Sequence, residues 1–229
     1  MEQKNNKGTL FVVATPIGNL SDISARAIET LRSVDLIACE DTRVTHKLLD
    51  HFDIQAKTTS LHQHTSCAKE ESLINEIVAG LNVAVVTDAG TPAISDPGSP
   101  FVKMAVDAGI NIIPIPGVSA FTTVLSICGF PTNRFTFVGF PPNKKGRNKF
   151  FEEIAGIEHT VVMYESKHRI LKTLEQLPQH RDVMIGRELT KMHETIYRGN
   201  ASQIAEQIKE SSDKGEFVIV LAPQSNKLL

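Results

Sequence analysis

Four short apolar runs, each closed by a small or polar segment and followed by an amphipathic stretch, constrain the fold of this chain most. Leu10–Ala14 ends in Thr15-Pro16-Ile17-Gly18-Asn19, and Leu36–Cys39 ends in Glu40-Asp41-Thr42-Arg43. Val83–Thr87 runs into Asp88-Ala89-Gly90-Thr91-Pro92, and Ile110–Ile115 into Pro116-Gly117-Val118-Ser119-Ala120. Short apolar runs of this kind predict strands, and the nearly continuous Val83–Thr87 predicts one covered on both faces. Helical periodicity fills the intervals: Ile23, Ala27, Ile28 and Leu31 on one face after Ser21-Asp22, then a helix through Leu48 and Leu49. Glu70–Leu81, stopped near Gly80, and Pro100–Ala108 are the next two. Thr58–Leu61 reads as one more strand, running into His62-Gln63-His64-Thr65. The alternation is that of an α/β domain with a mostly parallel sheet, whose ligands bind beyond the carboxyl ends of the strands. The polar and Gly/Pro-rich segments fall at those ends.

The first set of elements closes near Val118, which divides the chain into an N-terminal α/β lobe, residues 1–118, and a C-terminal one, residues 119–229. The second lobe opens with a helix at Ala120–Cys128 and a strand-like Phe135–Phe140. A basic loop, Lys144–Lys149, and a strand at Thr160–Tyr164 follow. Further along are a helix at Ile170–Leu177, a strand at Val183–Gly186, a helix around Gln203–Glu210 and a final strand at Phe217–Leu221.

A net charge of −2, from 24 basic and 26 acidic residues, excludes a protein that coats nucleic acid nonspecifically. It leaves room for one local patch. Lys144, Lys145, Arg147 and Lys149, with Arg134 upstream, form the concentrated basic stretch, with Phe135, Phe137 and Phe140 beside it. Phe135 and Phe137 are expected in the core, and the lysine-arginine loop exposed and open to RNA. Cys39, Cys67 and Cys128 are widely spaced, as idle thiols of a reducing compartment are. His62 and His64 are the closest histidine pair, and no helical HxxxH or zinc-like spacing accompanies them, so no metal is expected. Met1–Lys7 lacks the apolar core of a signal peptide, and no apolar run reaches the roughly 20 residues of a membrane span. A soluble, cytoplasmic protein is the expectation.

Thr87-Asp88-Ala89-Gly90-Thr91-Pro92-Ala93-Ile94-Ser95-Asp96-Pro97-Gly98 is the most informative stretch. Small residues let a ligand approach the backbone, and a carboxylate at a strand end accepts hydrogen bonds from hydroxyls or an amine. A plain Gly/Pro turn would have the same composition, and the spacing is not that of a phosphate-binding P-loop. Pro116–Ala120 leaves backbone N–H groups free at a helix start, with Ser119 able to cap. Glu40-Asp41-Thr42-Arg43 places two acids and a guanidinium at a strand end, either to handle a substrate hydroxyl or simply to cap the next helix. Tyr164-Glu165-Ser166-Lys167-His168-Arg169 and Arg187-Glu188-Leu189-Thr190-Lys191 concentrate charge at two equivalent strand ends of the second lobe.

Together with Ser60–His64, Pro114–Ala120, Glu165–Ile170 and Gly215–Val220, these segments resemble one family across nearly the whole chain. It is the 16S rRNA 2′-O-ribose methyltransferase I branch of the tetrapyrrole-methylase-like superfamily. The resemblance implies two α/β lobes, usually in a homodimer, with S-adenosyl-L-methionine as methyl donor in the cleft between them. Carried over by motif, Pro16 and the loop residues Asp88, Ala89, Gly90, Thr91, Pro92, Ile94, Ser95 and Asp96 would hold the donor. Ser119 and Ala120 would meet it at the lobe junction, and Tyr164, Leu189 and Pro223 from the second lobe. The acceptor implied is the ribose 2′-hydroxyl of a decoding-centre cytidine in 16S rRNA or the small ribosomal subunit. A neutral hydroxyl is a poor nucleophile and needs a base, for which Glu40, Asp41 and Glu165 are the candidates. Arg43, Arg169 and Arg187 would hold phosphates, alongside Lys144, Lys145 and Arg147. Two departures bear on substrate choice: Lys167 stands where the family has a proline, and many members continue past the point where this sequence ends, Leu229. The competing readings are methylation of a small tetrapyrrole precursor and a noncatalytic module that binds RNA or a nucleotide.

Overall fold

The computed structural model describes residues 7–96, 98–211 and 214–224. Residues 1–6 of the polar N-terminus, Pro97 of the glycine-proline motif and the terminal residues 225–229 lie outside the described residues. The chain forms two compact units, Met1–Ser119 and Ala120–Leu229, each an α/β lobe.

The first unit is built as the alternation predicts. Its strands are β1 (Thr9–Val13), β2 (Leu36–Cys39), β3 (Thr58–Ser60), β4 (Val83–Val86) and β5 (Asn111–Ile115), in the order β3-β2-β4-β1-β5. Every pairing is parallel. The helices are α1 (Ala25–Ser33), α2 (Thr42–His51), α3 (Cys67–Val78) and α4 (Ser99–Asp107). Ala27 and Leu31 of α1 and Leu48 and Leu49 of α2 pack on one sheet face with Val13, Ile37 and Val86. Leu73, Ile74 and Ile77 of α3 and Phe101 and Ala105 of α4 cover the other with Leu10, Ala38 and Val85. This double cover explains why β4 is buried at all four positions, each large side chain contributing about 1.5–3 kcal/mol by leaving water.

Helix starts are set by local chemistry. Ser24, rather than Ser21, caps α1 by accepting from Ala27 N at 3.1 Å, and a 3₁₀ turn at Leu20–Asp22 precedes it. The helix expected over Glu70–Leu81 starts earlier, at Cys67, and stops before Gly80, whose φ of 112° suits glycine.

The second unit is also α/β, but its sheet is mostly antiparallel, unlike that of the first. Its strands are β6 (Phe135–Phe137), β7 (Thr160–Ser166), β8 (Asp182–Arg187), β9 (Thr195–Asn200) and β10 (Glu216–Leu221), ordered β6-β7-β10-β8-β9. Only β6–β7 is parallel; β7–β10, β10–β8 and β8–β9 run antiparallel. Strand β9 goes beyond the sequence expectation, because Thr195-Ile196-Tyr197-Arg198-Gly199-Asn200 has the polar, glycine-containing composition of an edge strand. Helices α5 (Ala120–Ile127), α6 (Arg147–Gly156), α7 (Ile170–Gln176) and α8 (Ala201–Ser211) complete the unit. Phe151, Ile154, Ile170, Leu174, Ile204 and Ile208 pack against Val161, Met163, Ile185, Phe217 and Ile219 in one core.

Two expectations in this unit are corrected. Strand β6 stops at Phe137, because Gly139 turns with φ 63° while still accepting from Tyr164 N at 3.0 Å. Phe135 is 40% exposed rather than a core residue, and Phe140 is 51% exposed. The stretch Lys144–Lys149 is not one open loop, since α6 begins inside it at Arg147.

Candidate functional site

In the first unit the chain leaves β1 for β2 in one direction and leaves β4 for β5 in the other. The neighbours β4 and β1 therefore flank the switch point at which sheets of this kind form a ligand crevice. Three loops are stitched together there. Thr15 N donates to Gly90 O at 2.9 Å and Gly90 N to Thr15 O at 3.0 Å. Thr15 Oγ1 donates to Thr87 O at 3.0 Å, and Thr91 Oγ1 to Val118 O at 3.2 Å. The approach is close enough to need glycine: a Cβ on Gly117 would come within 2.9 Å of the Ala14 side chain. Within the Asp88–Asp96 loop, Ala93 and Ser95 both take left-handed φ, 67° and 63°, a conformation that costs a side-chain-bearing residue energy and collects at ligand loops.

Three acids surround Thr87. Its Oγ1 donates to Glu40 Oε2 at 2.9 Å. Burial, then the negative charge of Glu40, push the Asp96 carboxyl up to about 6, against a hydrogen bond with Thr87 that pulls it down. Burial likewise raises Asp88, opposed by its hydrogen bond from Asp41 N and reinforced by Glu40 and Asp41. A threonine hydroxyl has one proton. Given to Glu40, it cannot also go to an ionised Asp96, which leaves burial and the charge of Glu40 to dominate there.

Asp41 is held differently. Its carboxylate caps α2 by accepting from Arg43 N at 2.8 Å, and it pairs with the Arg43 guanidinium at 2.6 Å. Those hydrogen bonds to Arg43 hold it at about 2, too weak to take a proton from a hydroxyl. The helix-cap reading of Glu40-Asp41-Thr42-Arg43 is thus right for Asp41, while Glu40 faces the crevice side with Thr87. Arg43 is exposed, and Ile94 is 37% exposed. Ser119 is buried, and Ala120 opens α5 in the second unit.

In the second unit Glu165 is fully buried and already committed. Its Oε1 accepts from Ser166 N and from the Arg169 guanidinium, both at 2.7 Å. Its Oε2 accepts from Thr173 Oγ1 at 2.5 Å and lies 3.8 Å from Arg147. A carboxylate engaged at both oxygens and closed off from solvent is placed as a counter-ion to these guanidiniums. Arg147 is 4% exposed, donating to Gln176, Pro142 O and Thr173, which removes it from the residues free to touch RNA. Lys144 and Lys145 are exposed. Arg187 donates to Lys214 O at 2.6 Å.

The Arg187–Lys191 segment has its own strained loop. Glu188 and Thr190 take φ of 51° and 65°, with buried Leu189 between them. Leu189 rests on Gly186, where a Cβ would meet it at 2.7 Å. Lys191 bridges Glu188 and Glu216 at 3.1 and 2.9 Å. Thr190 Oγ1 is buried with no hydrogen-bond partner among the described residues, a condition that a ligand's polar atom would relieve. Tyr164 packs against Phe137 and Phe140, with ring centroids 5.0 and 5.4 Å away, and Pro223 is half-buried.

Sequence reasoning placed Thr15, Thr87 and Thr190 in the strand-end segments but gave none of them a role. For Thr15 and Thr87 the available signal was a threonine at the carboxyl end of an apolar run, but the sheet order that brings their hydroxyls to neighbouring loops is not local. Among the described residues no group of three or more His, Cys, Asp or Glu could hold a metal ion, and no helix is long and apolar enough to cross a membrane.

Residues 9–205 match the family of tetrapyrrole (corrin/porphyrin) methylases. The chain is 45% identical to ribosomal RNA small subunit methyltransferase I of Halalkalibacterium halodurans, over 99% of this chain and 80% of that protein. The protein of the same name from Escherichia coli O157:H7 is also 45% identical, over 95% of this chain and 78% of its own. Among solved structures, a diphthine synthase superposes with TM-score 0.72 at 15% identity, over 94% of this chain and 90% of that one. A cobalt precorrin-4 methyltransferase gives 0.69 at 15%, over 93% and 94%. At that identity the two share the fold. The strand-end motifs, the two α/β lobes and the close relatives place the chain in the tetrapyrrole methylase family and, within it, in the ribosomal RNA small subunit methyltransferase I family.

Proposed function

We propose that this chain methylates the RNA of the small ribosomal subunit, taking the methyl from S-adenosyl-L-methionine and placing it on the ribose 2′-hydroxyl of a decoding-centre cytidine in 16S rRNA. The observation that carries this reading is the 45% identity to a ribosomal RNA small subunit methyltransferase over 99% of the chain. The donor supplies a methyl made electrophilic by a positive sulfur.

The chain's residues fit such a donor. Asp88 and Asp96 are both raised by burial and by the acids around them, and a cationic ligand beside them would relieve that repulsion. The backbone of Asp88–Asp96, with Pro16, Ser119 and Ala120, forms the donor cradle in this proposal. Tyr164, Leu189 and Pro223 are donor contacts in it too, with the unpartnered Thr190 hydroxyl beside Leu189 as an addition.

The acceptor proton goes to the Glu40–Thr87–Asp96 group. A carboxylate near 6 is a stronger base than an ordinary one and is still mostly ionised at neutral pH, so Asp96 suits the task. Alignment of hydroxyl and methyl and exclusion of water supply the rest. Arg43, Arg187, Lys144 and Lys145 are the proposed phosphate contacts. A cytoplasmic homodimer is part of the same proposal.

The test is methyl-labelled donor with small ribosomal subunits from a strain lacking the gene, naked 16S rRNA and a tetrapyrrole precursor in parallel. Label in a 2′-O-methylcytidine is the expected result. Label in the precursor alone would move the chain to small-molecule methylation, and donor binding without turnover on any acceptor would leave a binding module.

A further inference from the structure

The buried Glu165 anchors two guanidiniums, and both reach the same short segment. Arg169 donates to Pro141 O at 2.9 Å and to the Asn143 side chain, while Arg147 donates to Pro142 O at 3.0 Å. Arg147 is braced in turn by Gln176 at 2.7 Å, Thr173 at 2.6 Å and the Phe151 ring at 5.0 Å. Two successive prolines have no backbone N–H to offer and hold φ near one value, so this segment is rigid by covalent structure and gripped through its carbonyls. Gly146, with φ 81°, then turns it into α6.

What the gripped segment displays has one chemical character. Phe140 is 51% exposed at one end, and Lys144 and Lys145 are exposed at the other. No acidic residue occurs between Asp107 and Glu152, a stretch that holds all of these together with Arg134. An exposed ring flanked by cations in an acid-free stretch matches single-stranded RNA, whose bases stack on aromatics and whose phosphates pair with lysine.

We propose that Phe140–Lys145 is a preformed grip for single-stranded RNA, with Phe140 stacking on a base and Lys144 and Lys145 on neighbouring phosphates, and that Glu165 is a positioning residue that holds the grip through Arg147 and Arg169. This deepens the rRNA reading above and rests on it. Pre-ordering explains why an acid with no access to substrate sits at the end of β7 among charged groups: it lowers the ordering cost that RNA would otherwise meet on binding.

The experiment measures three things on the full chain: affinity for a labelled single-stranded RNA oligonucleotide at several salt concentrations, methylation kinetics on small subunits, and affinity for the donor. Phe140→Ala is expected to weaken RNA binding about tenfold, with Phe140→Trp restoring it. Lys144→Ala combined with Lys145→Ala is expected to flatten the logarithmic salt dependence by roughly 0.7 for each phosphate left without its lysine. Glu165→Gln and Arg169→Gln should raise KM for the subunit with kcat and donor affinity near wild type. RNA affinity unchanged in both the Phe140→Ala and the double lysine variants overturns the grip. A fall in kcat at saturating subunit for Glu165→Gln, with donor binding intact, would instead make Glu165 part of the chemistry. If the wild-type chain methylates no RNA, the underlying reading fails, and the oligonucleotide series decides the grip independently.

Discussion

Thr87 stands between two carboxylates, giving its hydroxyl proton to Glu40 at 2.9 Å while sharing a hydrogen bond with Asp96. One proton cannot serve both acids when both are ionised, and the neighbourhood offers little positive charge because Arg43 is taken by Asp41. The folded state therefore holds a proton on Asp96 more tightly than the unfolded chain does.

The stability consequence has a definite sign. Asp96 moves from 3.8 to about 6 on folding, so protons bind the folded state preferentially between those values. Stability from this site is fully present below about pH 4 and is lost as pH rises through 6. Asp96→Asn removes the charge without removing the hydrogen-bonding group. It should stabilise the protein by about 1–2 kcal/mol at pH 8, after allowing for partial exposure, with the gain vanishing near pH 4. Thermal melts of both proteins at the two pH values check this. A variant equally or less stable at pH 8 would show that the carboxylate is not strained.

Activity should follow the same group. If Asp96 with Glu40 receives the acceptor proton, kcat/KM for the donor, which reports the free enzyme, rises with pH through about 6 and levels above it. Glu40→Gln should lower kcat by about 10²–10⁴-fold with donor affinity largely kept, and Asp96→Asn should lower kcat and weaken donor binding as well. Full activity in both would remove these acids from the chemistry.

Asp41 behaves in the opposite way. Its hydrogen bonds with Arg43 lower it to about 2, so its contribution to stability is present above the unfolded value of 3.8 and is lost as pH falls through 2. Asp41→Ser keeps an α2 cap and should melt near wild type, whereas Asp41→Ala should melt lower; both should methylate with wild-type kcat. A large drop in kcat for Asp41→Ser would make Asp41 a candidate base again.

Arg181 gives a test of the second unit's architecture. It is 2% exposed, and its guanidinium donates to the carbonyls of Ala222, Ile154, Ile157 and His159, tying the end of α6 to the end of β10. Burial lowers its pKa, but four acceptors keep it useful as a cation. Arg181→Ala leaves those acceptors without partners and should cost about 3–5 kcal/mol, read from chemical denaturation. A cost under about 1 kcal/mol would mean that water or neighbouring donors replace it.

How much of this could be read from residues alone varied with the range of the forces involved. Apolar runs fed by local steric preference and covered on both faces made β1, β2, β4 and β5 legible, and Pro/Gly-rich segments marked their ends as the place for a ligand. The polar edge strand β9 was invisible for the complementary reason: an edge needs apolar residues on one face only and tolerates Arg198 and Gly199.

Motif order and chain-wide resemblance were enough to assign the family, because they are properties of the sequence. Which acid is free to act was not. Glu40, Asp41 and Glu165 look alike as carboxylates at strand ends, and their roles separate only when folding supplies their neighbours. Asp41 meets Arg43 and a helix start, Glu165 is enclosed by Arg147, Arg169 and Thr173, and Glu40 is left beside Thr87 and Asp96. Ionisation depends on charge and solvent within a few ångströms, and residues that close in space, such as Glu40 and Thr87, are 47 positions apart along the chain. The sequence by itself determined the strands, their loops and the family. Only the tertiary structure decided which of those loops touch, which charges are spent on one another and which carboxylate holds its proton to higher pH.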